Sequence, residues 1–239
     1  MTEKPKSKSF SWPFWLLLIG SVSLFYFLGK PNYVGGNDRK RPEQSQAVSN
    51  LRQVGLALFE FDSEYSSFPT ESTVAKVTAK HPDHGLDLSG KSSNAFFRQL
   101  FAAKLTQSEQ MFYAQVAGTK RPDGDVSAGK VLSPGEVAFG YVAGLSTNGN
   151  PARPVAFCPI IPGTDRFDPI PFDGKAVILR IDNSVASLNI DKDGHANIGG
   201  GKTLFDPDNA LWEGKIPDVR YPEGLSTSKP SFFQKVFSK

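Results

Sequence analysis

The feature that most constrains this chain is an uncharged stretch near its N terminus, residues 10–28. At about 1.5 Å per residue, a helix of these 19 residues spans roughly 28 Å, close to the hydrocarbon thickness of a bilayer. The sequence therefore predicts a single transmembrane anchor over residues 10–29. The side chains assigned to this anchor are Trp15, Leu16, Leu17, Leu18, Ile19, Phe25, Phe27 and Leu28.

Basic residues lie on both sides of this stretch, for example Lys8 before it and Lys30 after it. The excess of basic residues that usually marks the cytoplasmic side therefore does not orient this helix. A cleaved secretory signal is the alternative to an uncleaved span, but no small-residue cleavage site closes the stretch. We expect a short cytoplasmic tail at residues 1–9, a membrane anchor, and a head outside the cytoplasm.

The next segment, residues 30–45, is predicted to be a linker. Pro31, Gly35, Gly36 and Pro42 lie within it, and such residues interrupt regular helices. Its basic residues would lie near lipid headgroups if the linker is short, where each adds attraction to anionic lipid. A solvated linker without lipid contact is the alternative interpretation.

A helical stripe follows the linker. Leu51, Val54, Leu58, Phe61 and Tyr65 are spaced three and four residues apart, which places them on one face of a helix. This helix is predicted within residues 46–65, with its apolar face packed in the core. A coiled coil would give the same spacing, but the stretch holds only about two to three heptads.

Three further residues refine the prediction for this helix. Leu56 and Phe59 widen its apolar surface, so we expect the helix to be embedded in the head. Gly55 lowers helix stability by about 1 kcal/mol relative to alanine. A glycine at this place therefore indicates that another element packs closely against the helix.

The head, residues 46–239, has the composition of one folded domain. Hydrophobic residues make up 39% and charged residues 21% of the sequence, which excludes a disordered chain and a multi-helix membrane protein. The net charge of +3 gives no argument for nucleic acid as a partner. The single cysteine, Cys158, excludes an intramolecular disulfide and lies in an apolar stretch typical of a buried thiol.

Helical and strand patterns together predict an α+β fold. A helix is predicted over residues 93–105, capped by Ser93 or Asn94. Strands are predicted over residues 137–142, 154–158, 175–181 and 185–190. The last two flank a short turn and form the clearest hairpin. The expected architecture is a head with an amphipathic helix packed on an antiparallel sheet.

Two stretches hold candidate metal ligands. Asn189, Asp191 and Asp193 place oxygen atoms at alternate positions, as at the start of a calcium loop, although the twelfth position carries glycine instead of glutamate. An acidic hairpin turn is the alternative. His81 and His84 are close in sequence, but a metal site requires three or four ligands, so an exposed turn is favoured.

Motifs of nucleotide binding and catalysis are incomplete or absent from the sequence. Residues 196–203 fit a permissive phosphate-loop pattern, but such a loop requires a preceding strand and a following helix. No serine-nucleophile elbow, zinc-protease helix or paired-cysteine motif is present. We therefore expect a non-enzymatic protein, with calcium as the one candidate cofactor.

Residues 49–69, SNLRQVGLALFEFDSEYSSFP, resemble the helix that follows the membrane segment in pilin-like proteins, including the pseudopilins of type II secretion. In that family an Asn-Leu-x-Gln-x-Gly-x-Ala-Leu helix ends at an aromatic residue and a proline, here Phe68 and Pro69. The resemblance implies a periplasmic head mounted on a helix of the bacterial inner membrane, and partners among pilin-like or secretion-system proteins. Some pseudopilins bind calcium in their C-terminal region, which bears on the candidate calcium loop.

The start of the chain departs from the pilin pattern. The family opens its membrane helix with glycine followed by Phe-Thr-Leu-x-Glu, whereas Gly20 is followed here by Ser21, and Phe25 stands where the glutamate is expected. That glutamate pairs with a neighbouring subunit during filament assembly. Its absence favours a pilin-like architecture over membership of a filament.

The sequence thus predicts a membrane-anchored, pilin-like envelope protein that acts through protein–protein contacts in a secretion or pilus-like assembly. The alternative is a membrane-tethered extracytoplasmic binding module for a glycan, calcium or a small ligand. A concave, polar-lined pocket in the head would favour that alternative.

Overall fold

The computed structural model describes residues 42–225. The predicted tail at residues 1–9 and the predicted anchor at residues 10–29 lie outside the described residues, as does most of the predicted linker. Within the described part of the chain, none of the helices is both long and apolar enough to cross a bilayer.

Helix α1, Pro42–Tyr65, contains 24 residues. Proline is well tolerated in the first turn of a helix, where its missing N–H is not needed, and Glu43 beside it complements the positive end of the helix dipole. The helix therefore begins before the predicted start at residue 46, and the end of the predicted linker is helical. It ends where Ser66 adopts a left-handed conformation, with a φ of 64°.

The predicted core face of α1 is confirmed. Leu51, Val54, Leu58, Phe61 and Tyr65 are all at most 5% exposed. They pack in one cluster with residues of the sheet described below. The spacing of three and four residues is sufficient to fix this face, because a helix of 3.6 residues per turn brings all five side chains to one side.

Two shorter helices follow. Helix α2, Glu71–Lys80, lies in a stretch that the sequence marks only as polar, and its buried residues are Thr73 and Val77. Its apolar stripe is too thin to be found from spacing. Helix α3, Ser93–Ala102, is capped by Ser92, whose Oγ accepts a hydrogen bond from the backbone N–H of Ala95 at 3.1 Å.

The helix predicted over residues 93–105 is therefore correct in type but differs at both ends. Its cap is Ser92 and not Ser93 or Asn94, because Ser93 is fully buried and Asn94 bonds to the carbonyl of Leu132 at 2.9 Å. Short 3-10 turns at Pro82–His84 and Glu109–Phe112 complete the helical elements of the described residues.

Seven strands are present in the described residues. They are β1 Gly140–Val142, β2 Pro154–Cys158, β3 Lys175–Arg180, β4 Val185–Asn189, β5 Asn197–Gly199, β6 Lys202–Thr203 and β7 Val219–Arg220. Five of them form an antiparallel sheet in the order β4-β3-β2-β1-β7, and β5 and β6 form a separate hairpin. The predicted α+β class with an antiparallel sheet is confirmed.

The predicted hairpin is also confirmed, with Ile178 of β3 opposite Ala186 of β4. The first strand is shorter than predicted and begins at Gly140. Before it, Ala138 donates its backbone N–H to the carbonyl of Phe112 at 2.9 Å, so this part of the chain bonds to a 3-10 turn and not to a neighbouring strand.

The sheet separates two hydrophobic cores. Side chains alternate between the faces of a strand, so Val177 and Leu179 of β3 face α1, whereas Ala176 and Ile178 face the opposite way. The core between the sheet and the helices is called the helix-side core here. The core on the opposite face is called the loop-side core, and it is closed by Phe157, Phe167, Phe205 and Trp212.

Gly55 marks the closest approach between α1 and the sheet. A Cβ atom on Gly55 would lie 1.9 Å from Oδ1 of Asn183, in the turn that joins β3 and β4, and 3.0 Å from Cδ1 of Leu179. Neither distance is compatible with an alanine in the present arrangement. The prediction of close packing at Gly55 is therefore confirmed.

Candidate functional site

The residues of the candidate calcium loop lie at the end of β4. Asn189 is exposed, and its Oδ1 accepts a hydrogen bond from Nζ of Lys175 at 2.5 Å. Oδ1 of Asp191 accepts the backbone N–H groups of Asp193 and His195, both at 2.9 Å. The carboxylate of Asp191 therefore holds a local turn.

The geometry of this turn gives calcium no additional support. Within residues 42–225, no group of three or more His, Cys, Asp or Glu side chains is placed to hold a metal ion. Calcium at Asn189, Asp191 and Asp193 stays a prediction.

The three histidines are used in separate local contacts. Nδ1 of His84 accepts the backbone N–H of Leu86 at 2.8 Å. Nε2 of His81 lies 3.7 Å from Oε1 of Glu64, and Nε2 of His195 lies 3.3 Å from Oδ2 of Asp165. These positions do not assemble a catalytic or metal-binding group among the described residues.

The glycine-rich segment at residues 196–203 forms the β5–β6 hairpin. Gly199, Gly200 and Gly201 all have positive φ values, which supply its tight turn. No helix follows this turn in the described chain, so its amides do not point along a helix axis toward a phosphate. Cys158 is fully buried in β2, and burial raises the pKa of its thiol.

One surface of α1 is apolar and unpaired within the described residues. Leu56 is 62% exposed and Phe59 is 36% exposed. The prediction that these residues help to embed the helix is wrong. In a helix with about 100° between successive residues, Leu56 points away from the middle of the buried face, and Phe59 lies beside it. The two side chains are called the outward face of α1 below.

A cleft of about 300 Å³ lies on the other side of the sheet. It is called the loop-side cleft, and it opens between strands β3 and β4 and residues 204–211. Aliphatic side chains form most of its wall, and they come from Ile178, Leu188, Ile198, Leu204 and Leu211. The side chain of Arg180 lines the same cleft.

Sequence reasoning misses this cleft. Alternation along β3 places Ile178 and Arg180 on one face, which is a local signal. The other walls come from the β5–β6 hairpin and from residues 204–211, and no spacing in the sequence brings these segments together. Only the folded chain shows that they meet.

Comparisons of the chain with protein-family models, with curated proteins and with solved structures give no match. The functional conclusion therefore rests on the residues and on the geometry described above.

Proposed function

We propose that this chain is a membrane-anchored, pilin-like envelope protein whose head acts through protein–protein contacts outside the cytoplasm. The uncharged stretch at residues 10–28 supports the anchor. The resemblance of residues 49–69 supports the pilin-like interpretation, and a helix packed on an antiparallel sheet is consistent with it. A secretion or pilus-like assembly is the proposed setting.

The observation that carries the proposal is the outward face of α1. Leu56 and Phe59 are three residues apart and therefore adjacent on the helix surface. Adjacent large apolar side chains in water are unfavourable by about 25 cal/mol for each Å² of apolar area, and removing that area from water is the usual driving force of association. A partner that covers both side chains would recover this free energy.

Chain length limits where such a partner lies. Residues 30–41 separate the proposed anchor from Pro42, and at about 3.5 Å per residue they extend at most roughly 42 Å. The outward face begins about four helical turns beyond Pro42. A partner bound to the outward face would therefore lie near the membrane, whether or not it is itself anchored there.

The anchor and its orientation are tested with a C-terminal reporter enzyme that is active only outside the cytoplasm. We expect reporter activity, together with recovery of the chain in the membrane fraction after an alkaline wash. No activity from this reporter, together with activity from a second reporter that works only in the cytoplasm, would contradict the orientation. Release of the chain by the wash would contradict the anchor.

The contacts are tested by co-purification of pilin-like subunits or assembly-platform proteins with the chain from its native membrane. Leu56→Asp and Phe59→Asp should each reduce recovery of the partner about tenfold or more, because a desolvated carboxylate at a contact is strongly unfavourable. Gln46→Asp, an exposed position on the same helix about 15 Å along its axis from Leu56, is the matched control and should leave recovery unchanged. Equal recovery with all three variants, or no envelope partner at all, would refute the proposal.

A further inference from the structure

We propose that the loop-side cleft binds a small aliphatic carboxylate, with its carboxylate on Arg180 and its hydrocarbon part against the leucine and isoleucine walls. This site lies on the opposite face of the sheet from α1. It is therefore independent of the protein–protein contacts proposed above.

Arg180 is partly buried and lines the cleft. Four arginines in the described residues are partly buried, and three of them form ion pairs. Arg98 lies 3.5 Å from Glu223, Arg153 lies 3.2 Å from Glu213, and Arg220 lies 2.5 Å from Asp218. Arg180 is the fourth, and no carboxylate of residues 42–225 lies within 4 Å of its guanidinium.

A partly desolvated guanidinium without a carboxylate is an unused recognition group. Its planar N–H groups match the two oxygen atoms of a carboxylate and form two parallel hydrogen bonds with it. The nearby Asp182 is exposed, and its Oδ1 accepts the backbone N–H of Ser184 at 2.9 Å. Hydrogen bonding to Ser184 is the main cause of the lowered pKa of Asp182, and the charge of Arg180 also contributes, so the two groups attract each other without direct contact. A bound carboxylate would form the direct hydrogen bonds to the guanidinium that Asp182 does not.

The walls of the cleft are mostly aliphatic. Ile178 and Leu204 are buried, whereas Leu188, Ile198 and Leu211 are only partly buried where they border the cleft. A hydrocarbon chain in the cleft would remove these three side chains from water, which is favourable in proportion to the area covered.

The one charged residue that lines the cleft in the described chain is the cationic Arg180. No acidic residue lines the cleft, and its polar lining besides Arg180 consists of the neutral amides of Asn150 and Asn209. This lining favours an anion over a cation. The volume of about 300 Å³ is at the small end of ligand sites. A branched acid of about six carbons, 4-methylpentanoate, is therefore a suitable probe.

The test uses the full chain in lipid nanodiscs with isotope-labelled isoleucine methyl groups, titrated with 4-methylpentanoate near pH 7. Saturable chemical-shift changes should appear at Ile178 and Ile198, with a Kd on the order of 1 mM for so small a ligand. Ile170 and Ile216, which are 54% and 81% exposed and lie outside the cleft, are the internal controls and should not shift.

Two further arms test the role of the charge. The uncharged amide of the same acid should bind at least about tenfold more weakly, because it loses the charge-assisted hydrogen bonds. Arg180→Gln should weaken binding of the acid by a similar factor. An unchanged methyl signal from Ile160, which is 4% exposed and lies outside the cleft, would show that this variant is folded.

The proposal is overturned if the chemical-shift changes have not levelled off at a ligand concentration about tenfold above the expected Kd. It is also overturned if the signals of Ile170 and Ile216 shift in parallel with those of Ile178 and Ile198. It is equally overturned if the amide binds as well as the acid. None of these results would change the expected effects of Leu56→Asp and Phe59→Asp, so the failure of one proposal is distinguishable from the failure of the other.

Discussion

The two faces of the central sheet are covered in different ways. On one face, α1 supplies a regular row of fully buried side chains, and its packing is so close that Gly55 leaves no room for a methyl group. On the other face, irregular segments and a small hairpin cover the sheet with aromatic rings. That covering is incomplete, and the loop-side cleft lies where it ends.

The difference shows that a regular helix leaves less concave surface on the sheet than irregular segments do. A helix laid on a sheet fills the groove between them and leaves few openings, because its side chains repeat at a constant interval. Loops have no such interval, so they leave a concave region among partly buried side chains. We therefore expect mutations to be most destabilising on the helix side and ligand binding to be confined to the loop side.

The largest effect is expected for Leu58→Ala. Leu58 is 1% exposed in the helix-side core, and truncation of such a residue removes buried apolar area and leaves a cavity. The free energy of unfolding should fall by about 2–5 kcal/mol, measured by urea denaturation of the full chain in mild detergent. A loss below about 1 kcal/mol would mean that the helix-side core rearranges to fill the cavity as readily as the loop-side core does.

Gly55→Ala should have the next largest effect. The added methyl group would meet Asn183, and overpacking of this kind is unfavourable by about 1–3 kcal/mol, more than the helix propensity gained. Asn183→Gly removes the obstructing side chain at a position with a φ of 62°, which glycine adopts readily.

The double variant Gly55→Ala with Asn183→Gly should therefore recover part of the lost stability, and the non-additivity measures the contact itself. Ser49→Ala, on the exposed surface of the same helix, is the control for propensity alone. Additive effects of the two changes would show that α1 and the turn are not in contact.

Leu188→Ala is the loop-side counterpart of Leu58→Ala. The chemical change is identical, but Leu188 borders an open cleft and is only partly buried. Less buried area is lost and no closed cavity forms, so the free energy of unfolding should fall by less than about 1 kcal/mol. A loss equal to that of Leu58→Ala would remove the energetic distinction between the two faces.

The smallest effects are expected from two carboxyl groups that titrate in opposite directions. Burial raises the pKa of Glu109, which lies in the 3-10 turn Glu109–Phe112, and the charge of the nearby Glu136 raises this pKa further. Hydrogen bonds from the backbone N–H groups of Leu132 and Gly124 act in the opposite direction. For Asp191 beyond β4, burial also acts to raise the pKa. The amides of His195 and Asp193, with the charge of His195, outweigh it, so the net shift is downward.

The signs follow from linkage between ionisation and folding. For Glu109, the unfolded chain ionises first as pH rises, so the free energy of unfolding falls until pH passes the raised pKa. For Asp191, the stabilisation is present above the ordinary pKa of aspartate and is lost as pH falls through the lowered pKa. These are the trends to be tested between about pH 3 and pH 6.

The measurement is the free energy of unfolding against pH for the wild type, Glu109→Gln and Asp191→Asn. Relative to Glu109→Gln, the wild type should become less stable as pH rises. Relative to Asp191→Asn, it should become more stable. The same trend in both comparisons would show that the two carboxyl groups have similar surroundings.

The sequence predicts the helix-side features better than the loop-side ones, for physical reasons. The stripe of α1 and the β3–β4 hairpin depend on residues close together in the chain, and periodicity reads such local patterns directly. Strand β7, Val219–Arg220, has only two residues and is fixed by pairing with the distant β1. No local pattern encodes such a pairing.

The errors within α1 have a related origin. The stripe identifies the buried face correctly, but hydrophobicity alone assigns Leu56 and Phe59 to the core. Their angular position on the helix separates them from it. The loop-side cleft is the extreme case, since its walls come from four separate segments and only Ile178 and Arg180 are related by strand alternation.

The proposed function depends most on the outward face of α1, which we expect to bind a partner protein at the membrane. The most direct test is photo-crosslinking in cells, with a photoreactive amino acid placed at Leu56 and, as control, at the exposed Gln46, about 15 Å along the same helix. We expect a discrete adduct with a pilin-like or secretion-system membrane protein from position 56 and little from position 46. Absence of an adduct at position 56, or the same adducts at both positions, would contradict it.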